Sequence, residues 1–571
     1  MLLLALLLAT ALTPHAPLPG EHAPAPRRAP TLTPAPMPTF TNPILRGFNP
    51  DPSICRVGDD YYLTTSTFGW FPGLPVYHSR DLVHWRLIGH AIHRPGQLDF
   101  EGVSLTNDLV YAPTLRHHDG RFYIVSHAVR KGGNFVVWAE DPAGPWSDPV
   151  FLPDLPGFDP DLFFDDDGRA WIAVSERAPD ADDVSRRSIL LCRVDLDTGA
   201  VLEGPHELLR GGHAVGAIWL EGPKLYRRDG FYYLLVSEGG TSFDHAVTIH
   251  RSKTLTGRYE TRPANPILTH RHLGLRYPVQ AIGHADLVQT PAGDWWMTVL
   301  GTRMYEHPGY PVPLTNTGRE TFLVPVEWQD AWPVPAPGVG LVEIEPPRPA
   351  LDPHPWPERP AQDDFDADAL PPDYIMPRAP QEQWWRLDER PGWLVLDLRP
   401  DTLTGNGNPS FLGRRIPDNA FCAETLVDVD PRPGGEAGLA LVQDERASYR
   451  ITVAGTPDGR VVRVVKNSRS AEEEIVAEHP APPGPLRLSI DGGAVAGHRF
   501  RFAPPEGDWT FLATGQDAGV LSTHAAGMFT GVVAGLYANS NHAQANYDGS
   551  RTRAAFDYFL LLPADAPLSE D

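Results

Sequence analysis

The strongest constraint on how this chain folds is a segment that recurs five times, a tight turn followed by aromatic and apolar residues that read as a buried strand. The copies are Gly58-Asp-Asp-Tyr-Tyr-Leu-Thr-Thr-Ser66, Asp119-Gly-Arg-Phe-Tyr-Ile-Val-Ser126, Asp167-Gly-Arg-Ala-Trp-Ile-Ala-Val-Ser175, Asp229-Gly-Phe-Tyr-Tyr-Leu-Leu-Val-Ser237 and Ala292-Gly-Asp-Trp-Trp-Met-Thr-Val-Leu300. Their equivalent aromatics, Tyr62, Tyr123, Trp171, Tyr233 and Trp296, stand 61, 48, 62 and 63 residues apart. That period suits a four-stranded antiparallel sheet with generous loops, and such sheets protect their edges by packing radially around one axis. The expected fold is therefore all-β, with a five-bladed β-propeller over residues 39–335. A weaker repeat agrees: Ser79-Arg-Asp-Leu-Val-His-Trp85, Asp141-Pro-Ala-Gly-Pro-Trp146 and Ser252-Lys-Thr-Leu-Thr-Gly-Arg-Tyr259 each follow a strand pair and read as outer-strand turns.

In such a ring the first strand of every blade lines the axis. Twelve residues before the repeat aromatics, where that strand starts, stand Tyr111, Asp159, Glu221 and His284. The first copy has a turn one residue shorter, and eleven residues back stands Asp51. Taken singly, each carboxylate reads as a solvated turn residue. Three in one register around one axis repel each other and lose hydration, which is costly without a function to explain it. The shared register therefore points to chemistry.

Hydrolysis of a glycosidic bond needs a protonated carboxyl to donate to the leaving oxygen and an ionised one to activate water or attack the anomeric carbon. A third acid can tune the pair. A negative charge on Asp159 disfavours ionisation of Glu221, which makes Glu221 the acid. Composition narrows the partners: 48 basic against 72 acidic residues leave a net charge of −24 with no basic block, so nucleic acid and anionic membranes are poor candidates. Cys55, Cys192 and Cys422 are odd in number and widely spaced, which indicates neither a disulfide framework nor a zinc pattern.

Several motifs carry a resemblance. Asn42-Pro-Ile-Leu-Arg-Gly-Phe-Asn-Pro-Asp-Pro-Ser-Ile54, Gly157-Phe-Asp-Pro-Asp-Leu-Phe163, Glu221-Gly-Pro-Lys-Leu-Tyr226, Gly283-His-Ala-Asp-Leu287 and Gly318-Arg-Glu-Thr321 are similar to segments of glycoside hydrolase family 43, the β-xylosidases and α-L-arabinofuranosidases. The resemblance implies an inverting exo-glycosidase that releases terminal β-D-xylosyl or α-L-arabinofuranosyl residues from xylan- or arabinan-derived oligosaccharides. It assigns Asp51 as general base, Glu221 as general acid and Asp159 as the modulator that orients and tunes it. It also places His284 beneath the sugar and Arg319 on its hydroxyls. Phe68 and Tyr111 are candidate walls for an apolar sugar face, and Trp70 and Phe71, in the same loop as Phe68, read as walls or as packing. No cofactor is required. A structural calcium ion near His284 is compatible with the family, although no oxygen cage is visible in the sequence. Asp165-Asp-Asp-Gly168 reads as a hairpin turn.

Beyond residue 335 the chain is Pro-rich to about 362, a linker, and residues 363–571 alternate in short strands that suggest a β-sandwich, by family resemblance a concanavalin A-like jelly roll. Asp363-Asp-Phe365 and Phe556-Asp-Tyr-Phe-Leu-Leu-Leu562 are expected to pair; the resemblance implies a domain whose loop walls off the pocket or which binds sugar, and a stabilising partner with no ligand is an equal reading. At the other end, an apolar run over 1–12 reads as a short secretory signal without a basic start, followed by a Pro-rich spacer over 13–38, so the protein is expected outside the cell. Three rival readings remain at this level: a non-catalytic sugar-binding propeller, a glycoside phosphorylase, and an endo-arabinanase with an open groove.

Overall fold

The computed structural model describes residues 38–564 apart from 180, 358, 471, 528 and 541–551. The expected signal peptide and all but the last residue of the spacer lie outside the described residues.

Five antiparallel sheets follow one another along the chain from Ser53 to Pro335. Their first strands are β1 (Ser53–Val57), β2 (Thr114–His118), β3 (Phe158–Phe164), β4 (Glu221–Arg228) and β5 (Val279–Gln289). Each pairs with the strand that carries a repeat aromatic, Asp60–Thr64, Arg121–Val129, Ala170–Arg177, Phe231–Glu238 and Trp295–Arg303. β1 to β5 neighbour one another in chain order, and β1 also packs on β5, so the ring is closed as a β-propeller. The segment before β1 helps to close it: Asn42 donates to Leu323 O at 3.0 Å and accepts from Leu323 N at 2.9 Å.

The repeat aromatics fill the wedges between sheets. Tyr62 packs edge-on against Phe122 at 4.9 Å, Tyr123 lies 5.7 Å from Phe164, and Tyr233 meets Trp328 edge-on at 5.0 Å. Twisted sheets splayed from one axis leave a gap that widens outward, and only large flat side chains fill it without voids.

Residues from 362 onward build two sheets of eight and six strands. Gln362–Asp363 pairs with Arg553–Pro563, so the start and end of this region meet in one sheet. Leu439, Ile451, Leu488 and Phe500 are fully buried between the two sheets. The propeller and sandwich share core. Phe48, Phe68, Trp70 and Leu105 pack with Ile375, Phe411, Val533 and Tyr537, and Trp70–Phe71 pairs with Met376–Pro377 as a two-stranded sheet. Of the three loop aromatics noted as sugar walls, Trp70 and Phe71 are thus seam residues, and only Phe68 reaches the pocket described next.

Candidate active site

The ring positions are reached through irregular backbone. Asp51, Asp159 and His284 have φ of 55°, 53° and 45°, and Gly222, beside Glu221, has 57°. The ladders of β3, β4 and β5 shift register at Phe158/Asp161, Glu221/Lys224 and Gly283/Asp286. A bulge with one left-handed residue re-aims its side chain out of the strand's normal alternation, here toward the axis. Left-handed conformations at non-glycine residues each cost on the order of 1–3 kcal/mol and persist where the surroundings over-determine them. At Gly222 a Cβ would stand 3.0 Å from the His284 ring, so this position needs glycine for both backbone and space.

These positions converge on one cavity of about 620 Å³, lined by Asp51, Phe68, Tyr111, Asp159, Glu221, His284 and Arg319, all seven of the site residues read from the sequence. A larger cleft of about 1090 Å³ runs between the first blade and the sandwich but contains none of them.

The three acids are set differently. Burial pushes the Asp51 carboxyl up, but the Arg319 guanidinium, aided by a hydrogen bond from Ser66, outweighs that and holds it below the ordinary value. Arg319 donates to both of its oxygens, Nη1 to Oδ1 at 2.9 Å and Nη2 to Oδ2 at 3.3 Å. Asp159 is pushed up to about 7, by burial and then by the charge of Asp51, while Gly222 N donates to it at 3.1 Å. Glu221 is driven well above its usual range by burial, then by Asp159, then by Asp51. One carboxylate is kept ionised and another kept protonated in the same pocket.

His284 lies with Nδ1 3.6 Å from Asp51 Oδ1, and burial lowers its pKa to about 3, so the ring is neutral. Its Nε2 is buried without a partner. As a calcium site the surroundings offer the Asp51 carboxylate, and no group of three or more His, Cys, Asp or Glu suited to a metal occurs among the described residues. Calcium takes six to eight oxygens, so the protein donors here do not by themselves form its shell. Arg319, expected on sugar hydroxyls, has its guanidinium engaged by Asp51, by Thr241 Oγ1 at 3.1 Å and by Phe529 O at 3.3 Å. It acts first as the counter-ion of Asp51.

Several lining residues escaped the sequence. Phe529, from the sandwich, packs on Phe68 at 5.5 Å and Tyr111 at 6.2 Å. Its segment is tied to the fifth blade by Thr523 N to Thr315 O at 2.8 Å and Val532 N to Asn316 O at 2.8 Å. Nothing periodic marks Phe529. Arg187 is buried, with bonds to Ser175 Oγ and O at 2.7 and 2.8 Å and to Val184 O at 3.1 Å, and its guanidinium lies 4.3 Å over Phe158 and 5.7 Å over Trp219. Trp219 stands two residues before Glu221, and that proximity was the available signal.

Beneath the ring, the same strands carry a second polar layer. Arg116 joins Asp161 at 2.8 Å and Asp286 at 3.1 Å, Ser53 Oγ and Tyr226 Oη donate to Asp286 at 2.8 and 2.6 Å, and Lys224 donates to Thr114 Oγ1 at 2.6 Å. Asp161, Asp286 and Lys224 are buried. Two basic and two acidic side chains thus lie together in this layer.

The sequence matches the family model described as glycosyl hydrolases family 43 over residues 40–333, and the model described as the beta xylosidase C-terminal concanavalin A-like domain over 362–561. It is 39% identical over 530 residues to a non-reducing end α-L-arabinofuranosidase of Bacteroides ovatus, covering 91% of this chain and 94% of that protein. A xylosidase/arabinosidase of Butyrivibrio fibrisolvens is 37% identical over 509 residues, with coverage of 88% and 96%. The crystal structure of a xylan β-1,4-xylosidase from Bacillus halodurans superposes with a TM-score of 0.84 at 32% identity, covering 92% of this chain and all of that one.

Proposed function

The chain belongs to glycosyl hydrolase family 43, and on that premise we propose that it is an inverting exo-glycosidase removing terminal β-D-xylosyl or α-L-arabinofuranosyl units from oligosaccharides, with Asp51 as base, Glu221 as acid and Asp159 as modulator. The observation that carries this reading is the opposite setting of Asp51 and Glu221 in one cavity.

In this mechanism Asp51 takes a proton from a water molecule, the water oxygen bonds to the anomeric carbon, and the bond to the leaving oxygen breaks as Glu221 gives that oxygen its proton. Arg319 holds Asp51 ionised before the step. Asp159, fixed by Gly222 N, keeps the Glu221 proton in place until the leaving oxygen takes it. Phe529 and the segment carrying it support exo action, because a wall from the second domain closes the pocket beside Phe68 and Tyr111. Relatives named for both xylose and arabinofuranose favour acceptance of both sugars. The apolar N-terminal run supports secretion.

The test is hydrolysis of aryl β-D-xyloside and aryl α-L-arabinofuranoside by wild type and Glu221→Gln, with the product anomer followed by NMR. Wild type is expected to release the inverted sugar, and the variant to lose at least about 10²-fold on a poor leaving group. An unimpaired variant, or a retained anomer, would overturn the assignment.

A further inference from the structure

Arg319 holds Asp51 through Nη1 and Nη2, and its Nε is buried without a partner among the described residues. The aim of the guanidinium therefore depends on the backbone that carries it. That backbone is the end of the connection 304–319 between two strands of the fifth blade, Trp295–Arg303 and Glu320–Gln329. Arg319 O also accepts from Asn49 N at 2.9 Å, two residues before Asp51, so this segment meets the base through main chain and side chain alike. Thr315, Asn316, Thr317, Arg319 and Glu320 are all buried, and buried main-chain groups need hydrogen-bond partners.

The sandwich supplies those partners. The turn Pro417-Asp418-Asn419 joins two of its strands, Ser410–Arg415 and Phe421–Asp428, which belong to different sheets. Asn419 is buried; its Oδ1 accepts from Asn316 N at 2.8 Å and Thr317 N at 3.3 Å, and its Nδ2 donates to Arg303 O at 3.1 Å. One amide thus ties both ends of the connection together. Beside it, Arg303 pairs with both oxygens of Glu320 at 2.7 and 2.9 Å and reaches Asp418 and Pro417 O. A second stretch of the sandwich closes on the same segment: a Cβ at Gly531 would stand 2.2 Å from Thr317 O, and one at Gly318 2.7 Å from Gly531 N. None of Asn316, Thr317, Asn419 and Gly531 is among the residues lining the catalytic cavity.

We propose that Asn419 is a positioning residue for the reaction: by fixing the main chain at Asn316 and Thr317, it holds the Arg319 guanidinium against Asp51. This rests on the reading of Asp51 as base. Without Asn419 two buried N–H groups lose their acceptor, the segment shifts to find others, and the counter-charge of the base moves with it. The other titratable groups around Asp51 supply no positive charge in its place. Asp159 and Glu221 are acids, and burial lowers His284 to about 3 and His245 to about 4, so both rings are neutral. Ser66 offers only its hydroxyl.

The test is the pH dependence of kcat/KM on an aryl glycoside, which reports the ionisation of the free enzyme, for wild type, Asn419→Ala and Asn419→Asp. A carboxylate whose counter-charge is withdrawn takes up its proton at higher pH, so the acidic limb of Asn419→Ala is expected to move up by about one pH unit. Asn419→Asp keeps an oxygen acceptor for the Asn316 and Thr317 N–H groups and is expected to leave the limb in its wild-type place. Asn419→Ser, whose hydroxyl is too short to reach those groups, carries the same expectation as alanine where alanine leaves too little folded protein. Unfolded molecules lower the height of the profile and do not move its limb, so lost stability is not mistaken for lost positioning. A wild-type limb in Asn419→Ala or Asn419→Ser, whatever the fall in height, overturns the proposal. Failure of the underlying base assignment reads out separately, as an Asp51→Asn variant that keeps its activity and its acidic limb.

Discussion

Asp51, Asp159, Glu221 and His284 sit two or three residues along the inner strands from Ser53, Asp161, Lys224 and Asp286, on the same backbone and around the same axis, yet the two layers pair their charges differently. In the lower layer, burial pushes the Asp286 carboxyl up, and Arg116, Lys224 and the hydroxyls of Tyr226 and Ser53 outweigh it, so the group is held below its ordinary value, whereas burial prevails at Asp161 and pushes it up to about 6 against Arg116 and Lys224. Positive and negative groups there are matched and hydrogen-bonded. In the upper layer three acids meet Arg319, which is spent on Asp51, and no hydrogen bond to the Glu221 carboxyl is recorded among the described residues. A buried polar network with every member satisfied stabilises and seals. One with a proton left over has chemical work to do.

Substitutions can break or sharpen that contrast. The largest expected effect is Asp51→Asn, which removes the proposed base but keeps an Oδ1 acceptor for Arg319 Nη1 and leaves the lower layer whole: kcat on a disaccharide should fall on the order of 10²–10⁴-fold, with the molecule still folded. Asp286→Ala should do the reverse. It strands Arg116 without one of its two carboxylates, and breaking a buried pair from one side costs about 3–5 kcal/mol. Urea unfolding should show the loss, while the folded fraction keeps its pH profile. A loss of turnover at unchanged stability would instead make the lower layer part of the chemistry.

The smallest effect sharpens the upper layer itself. Asp159→Asn removes a charge that, above about pH 7 where Asp159 ionises, holds the proton on Glu221. Without it Glu221 ionises at lower pH, so its acid form is lost earlier and the alkaline limb of the kcat profile moves toward acid. A limb that stays in place would restrict Asp159 to orienting Gly222 and its neighbours.

Much of this was legible in the chain because blades repeat. The turn-plus-aromatic motif gave the number of sheets, and the constant step from aromatic to inner strand put Asp51, Tyr111, Asp159, Glu221 and His284 on one ring before any contact was known. Other parts were not legible. The bulges at Asp159, Glu221 and His284 leave no trace in a hydrophobic pattern, since a re-aimed residue looks like an ordinary break in alternation. The loop Thr67-Phe-Gly-Trp-Phe71 reads the same whether its aromatics face sugar or sandwich, and only the pairing of Trp70–Phe71 with Met376–Pro377 separates Phe68 from the other two.

By itself, then, the sequence determined the all-β architecture and the axial register that brings Asp51, Asp159 and Glu221 into one cavity, because each depends on spacing along one strand or between copies of one repeat. The tertiary structure decided how those acids are set. Arg319 reaches Asp51 across 268 residues, Phe529 enters the pocket from the second domain to meet Phe68 and Tyr111, and Arg116 ties blade two to blades three and five. Burial and the field of distant charges fix which carboxyl keeps its proton, and both arise only when segments far apart in the chain are brought within a few ångströms.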